Sequence, residues 1–107
     1  MPHTVTVQLA AQGQGLAVVQ APAVLASGVI DFLRLELATS SEWEGLELTA
    51  LVRNGGEVTA CPVVGGVAVV DGAAVARPGV VEVAIMGQGS GARYTSTVAL
   101  LELRRGV

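Results

Sequence analysis

The side chains that could perform acid–base or nucleophilic chemistry are few in this chain of 107 residues. It has one histidine, His3, next to the N-terminus, and one cysteine, Cys61, within an apolar stretch. Such catalysis needs a base within hydrogen-bond reach of its partner, and a zinc site takes four ligands, mostly nitrogen or sulfur. We therefore expect a protein that is not an enzyme, with no catalytic residue, metal or other cofactor. We interpret Cys61 as a small buried apolar residue rather than a reactive thiol.

Two carboxylates flank the single tryptophan, in the order Glu42-Trp43-Glu44. Paired carboxylates can hydrolyse glycosidic bonds, and an exposed tryptophan can stack on a sugar. We favour a solvent-exposed loop whose tryptophan folds back onto the domain, because one Trp in a chain with only 3% aromatic residues is the natural core anchor. The glycine-rich residues 87–91 superficially resemble a phosphate-binding loop, but they lack its lysine and following helix, which indicates a mobile hairpin tip.

The charge distribution argues against nucleic acid and membrane partners. The formal net charge is −3, lysine is absent, and the one adjacent basic pair is Arg104-Arg105. Binding to a phosphate backbone therefore lacks its electrostatic basis. Residues 1–30 contain no Asp, Glu, Arg or Lys, but Gln, Gly and Pro interrupt their apolar runs. This pattern matches neither a signal peptide nor a membrane span of about 20 apolar residues.

Apolar residues alternate with polar ones at the period of a β-strand along most of the chain. In residues 4–9, Val5, Val7 and Leu9 share one face, and Asn54-Gly55 between two alternating runs predicts a tight hairpin turn. Pro22 makes residues 21–26 an edge or a connection, and residues 73–76 are too few for more than a helical turn. The predicted strands cover residues 4–9, 16–20, 29–38, 46–53, 58–61, 67–70, 80–86 and 94–103.

About eight short strands with frequent turns predict an all-β, antiparallel β-sandwich, immunoglobulin-like or jelly-roll-like. We expect a single domain over residues 1–107, with residues 1–28 as an N-terminal hairpin. Apolar residues make up 51% of the chain, charged residues 14%, and the mean hydropathy is +0.62. Either neighbouring subunits cover apolar surface or the core is unusually apolar. We hypothesise that the uncharged N-terminal segment is a subunit interface through Val5, Val7 and Leu9, with buried strands as an equal alternative.

One run of residues resembles a family of small β domains in structural proteins of tailed bacteriophages, including fibre, baseplate and head-appendage proteins. The run is Ser41-Glu42-Trp43-Glu44-Gly45-Leu46, followed by the strand Thr49-Ala50-Leu51-Val52-Arg53-Asn54-Gly55. Further similar passages are Cys61-Pro62, Ala76-Arg77-Pro78-Gly79, Val81–Gly87 and Tyr94–Thr97, so that the resemblance covers residues 29–104. The present chain is richer in Ala and Val than the family.

The resemblance implies a structural role in a virion, assembled in the host cytoplasm, with no catalytic residues. Because no fibre or receptor-binding head follows in this sequence, we expect a small virion component such as a capsid decoration protein or the base of a head or tail appendage. Its expected partners are copies of itself and other capsid or tail proteins. The alternative is a carbohydrate-binding or host-adhesion module that contacts a glycan through Trp43, Tyr94 and residues 87–91.

Overall fold

The computed structural model of the chain describes residues 4–22, 25–27, 30–89 and 91–105. These residues form ten strands and two short 3₁₀ helices, Ser41–Trp43 and Gly72–Val75. The strands are β1 (Thr4–Gln12), β2 (Gly15–Gln20), β3 (Leu25–Ser27), β4 (Phe32–Thr39), β5 (Glu47–Asn54), β6 (Glu57–Pro62), β7 (Val67–Asp71), β8 (Gly79–Gly89), β9 (Ala92–Thr95) and β10 (Ala99–Arg105). Within this part of the chain, no helix is long and apolar enough to cross a membrane.

The strands form two sheets that pack on each other in a single domain. The first sheet has the order β2-β1-β4-β7. The second has the order β3-β10-β8-β5-β6, and β9 pairs with the distal half of β8. Inward-facing Val, Leu and Ala side chains of both sheets make one core cluster. The prediction of an all-β domain built from two packed sheets is confirmed.

Both sheets are mixed rather than antiparallel. β1 pairs with β4 in parallel, from Thr4 opposite Phe32 to Ala11 opposite Thr39, and β10 pairs with β3 in parallel. The physical reason is a crossover: after β2 the chain passes to the edge of the second sheet as β3 and returns beside β1 as β4. A return by crossover brings a strand back in the same direction as its neighbour. The alternation of apolar and polar residues along a strand indicates which of its faces is buried. It does not indicate whether neighbouring strands run parallel or antiparallel.

Two of the ten strands, β3 and β9, are not predicted as separate strands by the sequence pattern. β3 lies in the segment that the sequence marks as an edge or connection, and β9 is separated from β10 within the predicted final strand. The predicted final strand, residues 94–103, is interrupted after Thr95 because the Ser96 hydroxyl accepts a hydrogen bond from the Ile85 backbone N–H at 2.8 Å and donates one to the Thr97 carbonyl at 2.8 Å. These local bonds replace part of the regular ladder.

The predicted β5–β6 hairpin is confirmed, with its turn shifted by one residue. Gly55 and Gly56 occupy the two turn positions with φ of 62° and 92°, a conformation that glycine adopts without strain. Asn54 ends β5 instead of entering the turn. Its buried side-chain amide donates to the Arg77 carbonyl and its oxygen accepts from the Arg77 N–H, both at 3.2 Å. The short segment after β7 is a single 3₁₀ turn, as expected.

Candidate functional site

Trp43, the centre of the motif that suggested a function, lies inside the domain. It is 2% exposed and ends the 3₁₀ helix Ser41–Trp43 between β4 and β5. Its indole N–H donates a hydrogen bond to the Gly13 carbonyl in the β1–β2 turn, at 2.8 Å. A buried indole that finds an acceptor in this way is an anchor between chain segments. The prediction that the tryptophan folds back onto the domain is confirmed.

The indole ring of Trp43 lies between the ring of Tyr94 and a part of β8 where the residue is a glycine. The ring centroids of Trp43 and Tyr94 are 4.5 Å apart at an angle of 60°. On β8, a Cβ atom at Gly87 would come within 3.2 Å of the indole and 2.8 Å of Leu46. Gly89 is similarly placed against Leu46. Gly87 and Gly89, two of the three glycines in the run that resembles a phosphate-binding loop, therefore make room for Trp43 and Leu46.

The turn under Trp43 is joined to the rest of the domain by a short polar network around Ser40. The Gly13 N–H donates to the Ser40 hydroxyl oxygen at 3.0 Å, and the Ser40 N–H donates to the Ala11 carbonyl at 2.9 Å. The Ser40 hydroxyl in turn donates to the Glu42 carboxylate. That hydrogen bond, together with backbone N–H groups at Glu42 and Gly13, lowers the pKa of the exposed Glu42 below its ordinary value.

A second set of hydrogen bonds fixes the same turn to the segment between β9 and β10. The Thr97 N–H donates to the Gln14 carbonyl at 2.6 Å, and the Leu16 N–H donates to the Thr97 hydroxyl oxygen at 3.1 Å. The Gln14 side chain also donates to the Thr95 carbonyl, at 3.3 Å. The β1–β2 turn is thus fixed between the tryptophan segment of one connection and the Ser96–Thr97 segment of another. This arrangement closes one end of the sandwich.

The tryptophan segment provides little surface for a ligand. The indole face and N–H are occupied by internal contacts, and Tyr94 is only partly exposed because it packs on Trp43. The prediction of a hairpin in this range is confirmed, since β8 pairs with β9 as far as Gly89 opposite Ala92, but Gly87, Gln88 and Gly89 belong to the paired strand rather than to the tip. Ser90 lies outside the described residues. Glu42 and Glu44 are exposed, as expected. The stacking platform that the carbohydrate-binding alternative requires is not formed by these residues.

The residues proposed for an N-terminal interface supply core instead. Val7 and Leu9 are fully buried on the inner face of β1, and Val5 is partly buried against the same core. For Val7 and Leu9 the interface hypothesis is wrong, and the buried-strand alternative holds. The physical reason is the position of β1, which has neighbours on both sides in the first sheet and the second sheet beneath it. His3 lies outside the described residues.

The outer face of the first sheet is polar at its centre. Gln8 on β1 donates a hydrogen bond to Glu36 on β4 at 3.2 Å, and Arg34 forms an ion pair with the same carboxylate at 3.2 Å. Apolar side chains are exposed around this pair, since Val69 on β7 lies beside Arg34 and is 55% exposed, and Phe32 is 38% exposed. The outer face of the first sheet therefore mixes charged and apolar side chains.

The outer face of the second sheet is apolar over its centre. Here Leu51 lies on β5 beside Ala60 on β6 and Ala84 on β8, and the adjacent row places Thr49 beside Met86 and Pro62. Val58 and Leu100 complete the patch, 62% and 60% exposed. We call this set of eight residues the outer patch. The sequence contains a signal for the outer patch, because Leu51 and Ala84 are apolar at positions that face away from the core. The inner positions beside them are already filled by apolar residues, namely Ala50, Val52, Val83 and Ile85.

The remaining chemically reactive side chains, Cys61 and the carboxylates, are not gathered into a site within the described part of the chain. Cys61 is a buried free thiol on β6, and burial raises its pKa. Among the described residues, no three His, Cys, Asp or Glu side chains lie close enough together to hold a metal ion. In comparisons with known proteins, no family model matches the chain and no curated protein is significantly similar to it.

Proposed function

We propose that this chain is a non-enzymatic structural protein of a tailed bacteriophage virion. It acts as a small assembly module, such as a capsid decoration protein or the base of a head or tail appendage, and it works by non-covalent contact with copies of itself and with other virion proteins. The observation that carries the proposal is the outer patch, an apolar surface on a rigid sheet, considered together with the resemblance of residues 29–104 to phage structural domains.

The tryptophan motif supports this role through the fold. The polar atoms of the motif that point inward have internal partners, and Trp43 joins the β1–β2 turn to the β4–β5 connection. A motif whose side chains hold the fold together can recur among domains of one architecture although none of them binds a ligand there. The function of such a domain then lies on its surface.

The outer patch supports assembly because its apolar groups have no internal use. Leu51, Ala84 and Met86 lie on the side of the second sheet opposite to the core, and Val58 and Leu100 are more than half exposed. Isolated exposed apolar side chains are normal, but a cluster of them on one face marks an interaction surface. In this cluster the Arg53–Glu82 ion pair lies between Val58 and Leu100. In a particle built from many copies of one chain, every copy has identical neighbours that can cover such a surface.

The alternative of a glycan-binding module loses support from the same geometry. Sugar-binding sites of this kind present aromatic rings to solvent, whereas Trp43 is buried and Tyr94 covers part of it. The remaining aromatic residue, Phe32, lies on the outer face of the first sheet and is 38% exposed. A single half-exposed ring does not form a stacking platform with a second ring.

The experiment is to purify phage particles from a culture that expresses the chain and to count its copies per particle by quantitative mass spectrometry. We expect the chain to co-purify with the particles through density-gradient centrifugation. Hundreds of copies would identify a capsid decoration protein, and a few to a dozen would identify an appendage component. Recovery of the chain only in the particle-free fraction would refute the proposed function.

A further inference from the structure

We propose that the outer patch binds the same patch of a second copy of this chain, forming a two-fold symmetric dimer. In this dimer the second sheets of the two copies stack face to face, and the axis runs parallel to the strands, between β5 and β8. The partner is a second copy because three successive rows of side chains on this face, two in the outer patch and one formed by Arg53 and Glu82, are each complementary to themselves across this axis.

The rows follow from the registers of β5 and β8. In the first row Thr49 lies beside Met86, in the second Leu51 lies beside Ala84, and in the third Arg53 lies beside Glu82. Each row therefore pairs a long side chain with a short one, or a positive charge with a negative one. The third row continues outward on both sides with an exposed apolar residue, Val58 on β6 and Leu100 on β10.

A two-fold axis between β5 and β8 exchanges the two members of every row. Leu51 of one copy then faces Ala84 of the partner subunit, and Met86 faces Thr49 of the partner subunit. These contacts place long side chains over short ones, which is how the inner faces of packed sheets interdigitate. The same rotation places Val58 over Leu100 of the partner subunit, so that the two most exposed apolar residues of the row cover each other.

The two-fold axis also places opposite charges of the two copies next to each other. Within one copy, an Arg53 guanidinium nitrogen lies 3.7 Å from a Glu82 carboxylate oxygen. The rotation brings Arg53 over Glu82 of the partner subunit and Glu82 over Arg53 of the partner subunit. The four groups then alternate in sign around the axis, and each charge has two neighbours of opposite sign. A self-complementary patch of this kind is what a two-fold interface requires.

The size of the outer face that carries the patch indicates how tightly the copies associate. Four strands at a spacing of about 4.8 Å, with the outward residues of β8 from Val80 to Gln88 spaced by about 6.8 Å, cover roughly 500 Å² per copy. The pair therefore buries roughly 1,000 Å² of flat area, to which the relief of the side chains adds, at the lower end of the range for specific interfaces. We expect a dimer that dissociates on dilution.

The test exchanges charges between two variants, Arg53→Glu and Glu82→Arg. Each variant alone places like charges opposite each other in its own dimer, so we expect its self-association to weaken at least tenfold relative to the wild type. In an equimolar mixture, the introduced carboxylate of the first variant meets the introduced guanidinium of the second, and the unchanged Glu82 of the first meets the unchanged Arg53 of the second. We expect a heterodimer of twice the 10.8 kDa chain mass in sedimentation velocity, with wild-type-like affinity.

The matched control is Arg34→Glu, which makes the same charge change beside Glu36 on the outer face of the first sheet. It should dimerise like the wild type. The near-ultraviolet circular dichroism of Trp43 reports in every variant that the fold is intact. A wild-type chain that stays monomeric at millimolar concentration, single variants that dimerise normally, or a mixture of monomeric variants that stays monomeric would each overturn the proposal.

The dimer deepens the proposed function, on which its biological purpose rests, but the two fail separately. Solution mass tests the dimer without any particle present, and co-purification tests the virion role without reference to the oligomeric state. A chain that dimerises and is absent from particles refutes the virion role alone. A chain that is present in particles and whose charge-swapped variants behave like the wild type refutes the dimer alone.

Discussion

Replacement of Trp43 by phenylalanine tests whether the tryptophan segment holds the end of the sandwich together. The substitution keeps an aromatic ring beside Tyr94 and removes the indole N–H that donates to the Gly13 carbonyl. It also removes part of a ring that is only 2% exposed. Both losses lie at the junction of the β1–β2 turn with the β4–β5 connection, so the variant should be less stable without changing its fold.

The expected magnitude has two parts. The lost hydrogen bond contributes about 1 kcal/mol, because the Gly13 carbonyl lies in a half-buried turn where water can replace the indole donor. The smaller ring buries roughly 40 Å² less apolar surface, which at about 25 cal/mol per Å² is about 1 kcal/mol, and the cavity adds to this. We therefore expect a loss of about 2–4 kcal/mol in the free energy of unfolding, against a total of about 5–15 kcal/mol for a domain.

The assay is urea denaturation followed by far-ultraviolet circular dichroism, because the variant lacks the only tryptophan of the chain. Phe32→Leu is the control, since Phe32 is an aromatic residue on the outer face of the first sheet and is 38% exposed. It should change the free energy of unfolding by no more than about 0.5 kcal/mol. A Trp43→Phe variant as stable as this control would refute the anchoring role.

Three further perturbations test individual groups. Because the Ser40 hydroxyl lowers the pKa of Glu42 below its ordinary 4.5, the stabilisation that this carboxylate provides is present above that value and lost as the pH falls through the lower folded-state pKa. The difference in urea midpoint between wild type and Glu42→Gln should therefore shrink as the pH is lowered from about 6 to about 3, and a pH-independent difference would contradict this. Because burial raises the pKa of the Cys61 thiol, a thiol reagent at about pH 8 should modify the native protein at least about tenfold more slowly than the urea-unfolded chain, and equal rates would contradict its burial. Ser96→Ala should cost about 1–3 kcal/mol in urea denaturation, because it removes the acceptor of the Ile85 N–H, and unchanged stability would show that another acceptor replaces it.

The sequence predicts the inner faces of the sandwich well and its connections less well. Alternation identifies β1, β4 and β5 because one face of each strand is buried and the other is not. It cannot show that β4 lies beside β1 in parallel, since that pairing depends on the path of the chain through β3. The break after Thr95 depends on the hydroxyl of Ser96, whose hydrogen bond from the Ile85 N–H requires β8 to lie beside it.

The candidate surfaces show the same division. The burial of Trp43 could be predicted because a single tryptophan in an apolar, aromatic-poor chain is more stable inside the core. The interface assigned to Val7 and Leu9 was wrong because absence of charge is a property of buried strands as well as of contact surfaces. Leu51 and Ala84 stand in the sequence as apolar residues at outward positions. Their meaning becomes apparent only when the registers place them side by side on one face.

The most direct test of the account is hydroxyl-radical footprinting of Met86, which lies in the outer patch and is readily oxidised to the sulfoxide. Wild type and Arg53→Glu are compared at a concentration where the wild type associates, with Phe32 on the first sheet as the internal reference. We predict that Met86 is oxidised several-fold more slowly in the wild type, while the rate at Phe32 is the same in both proteins. Equal rates at Met86 in the two proteins would contradict the claim that this face is covered by a second copy.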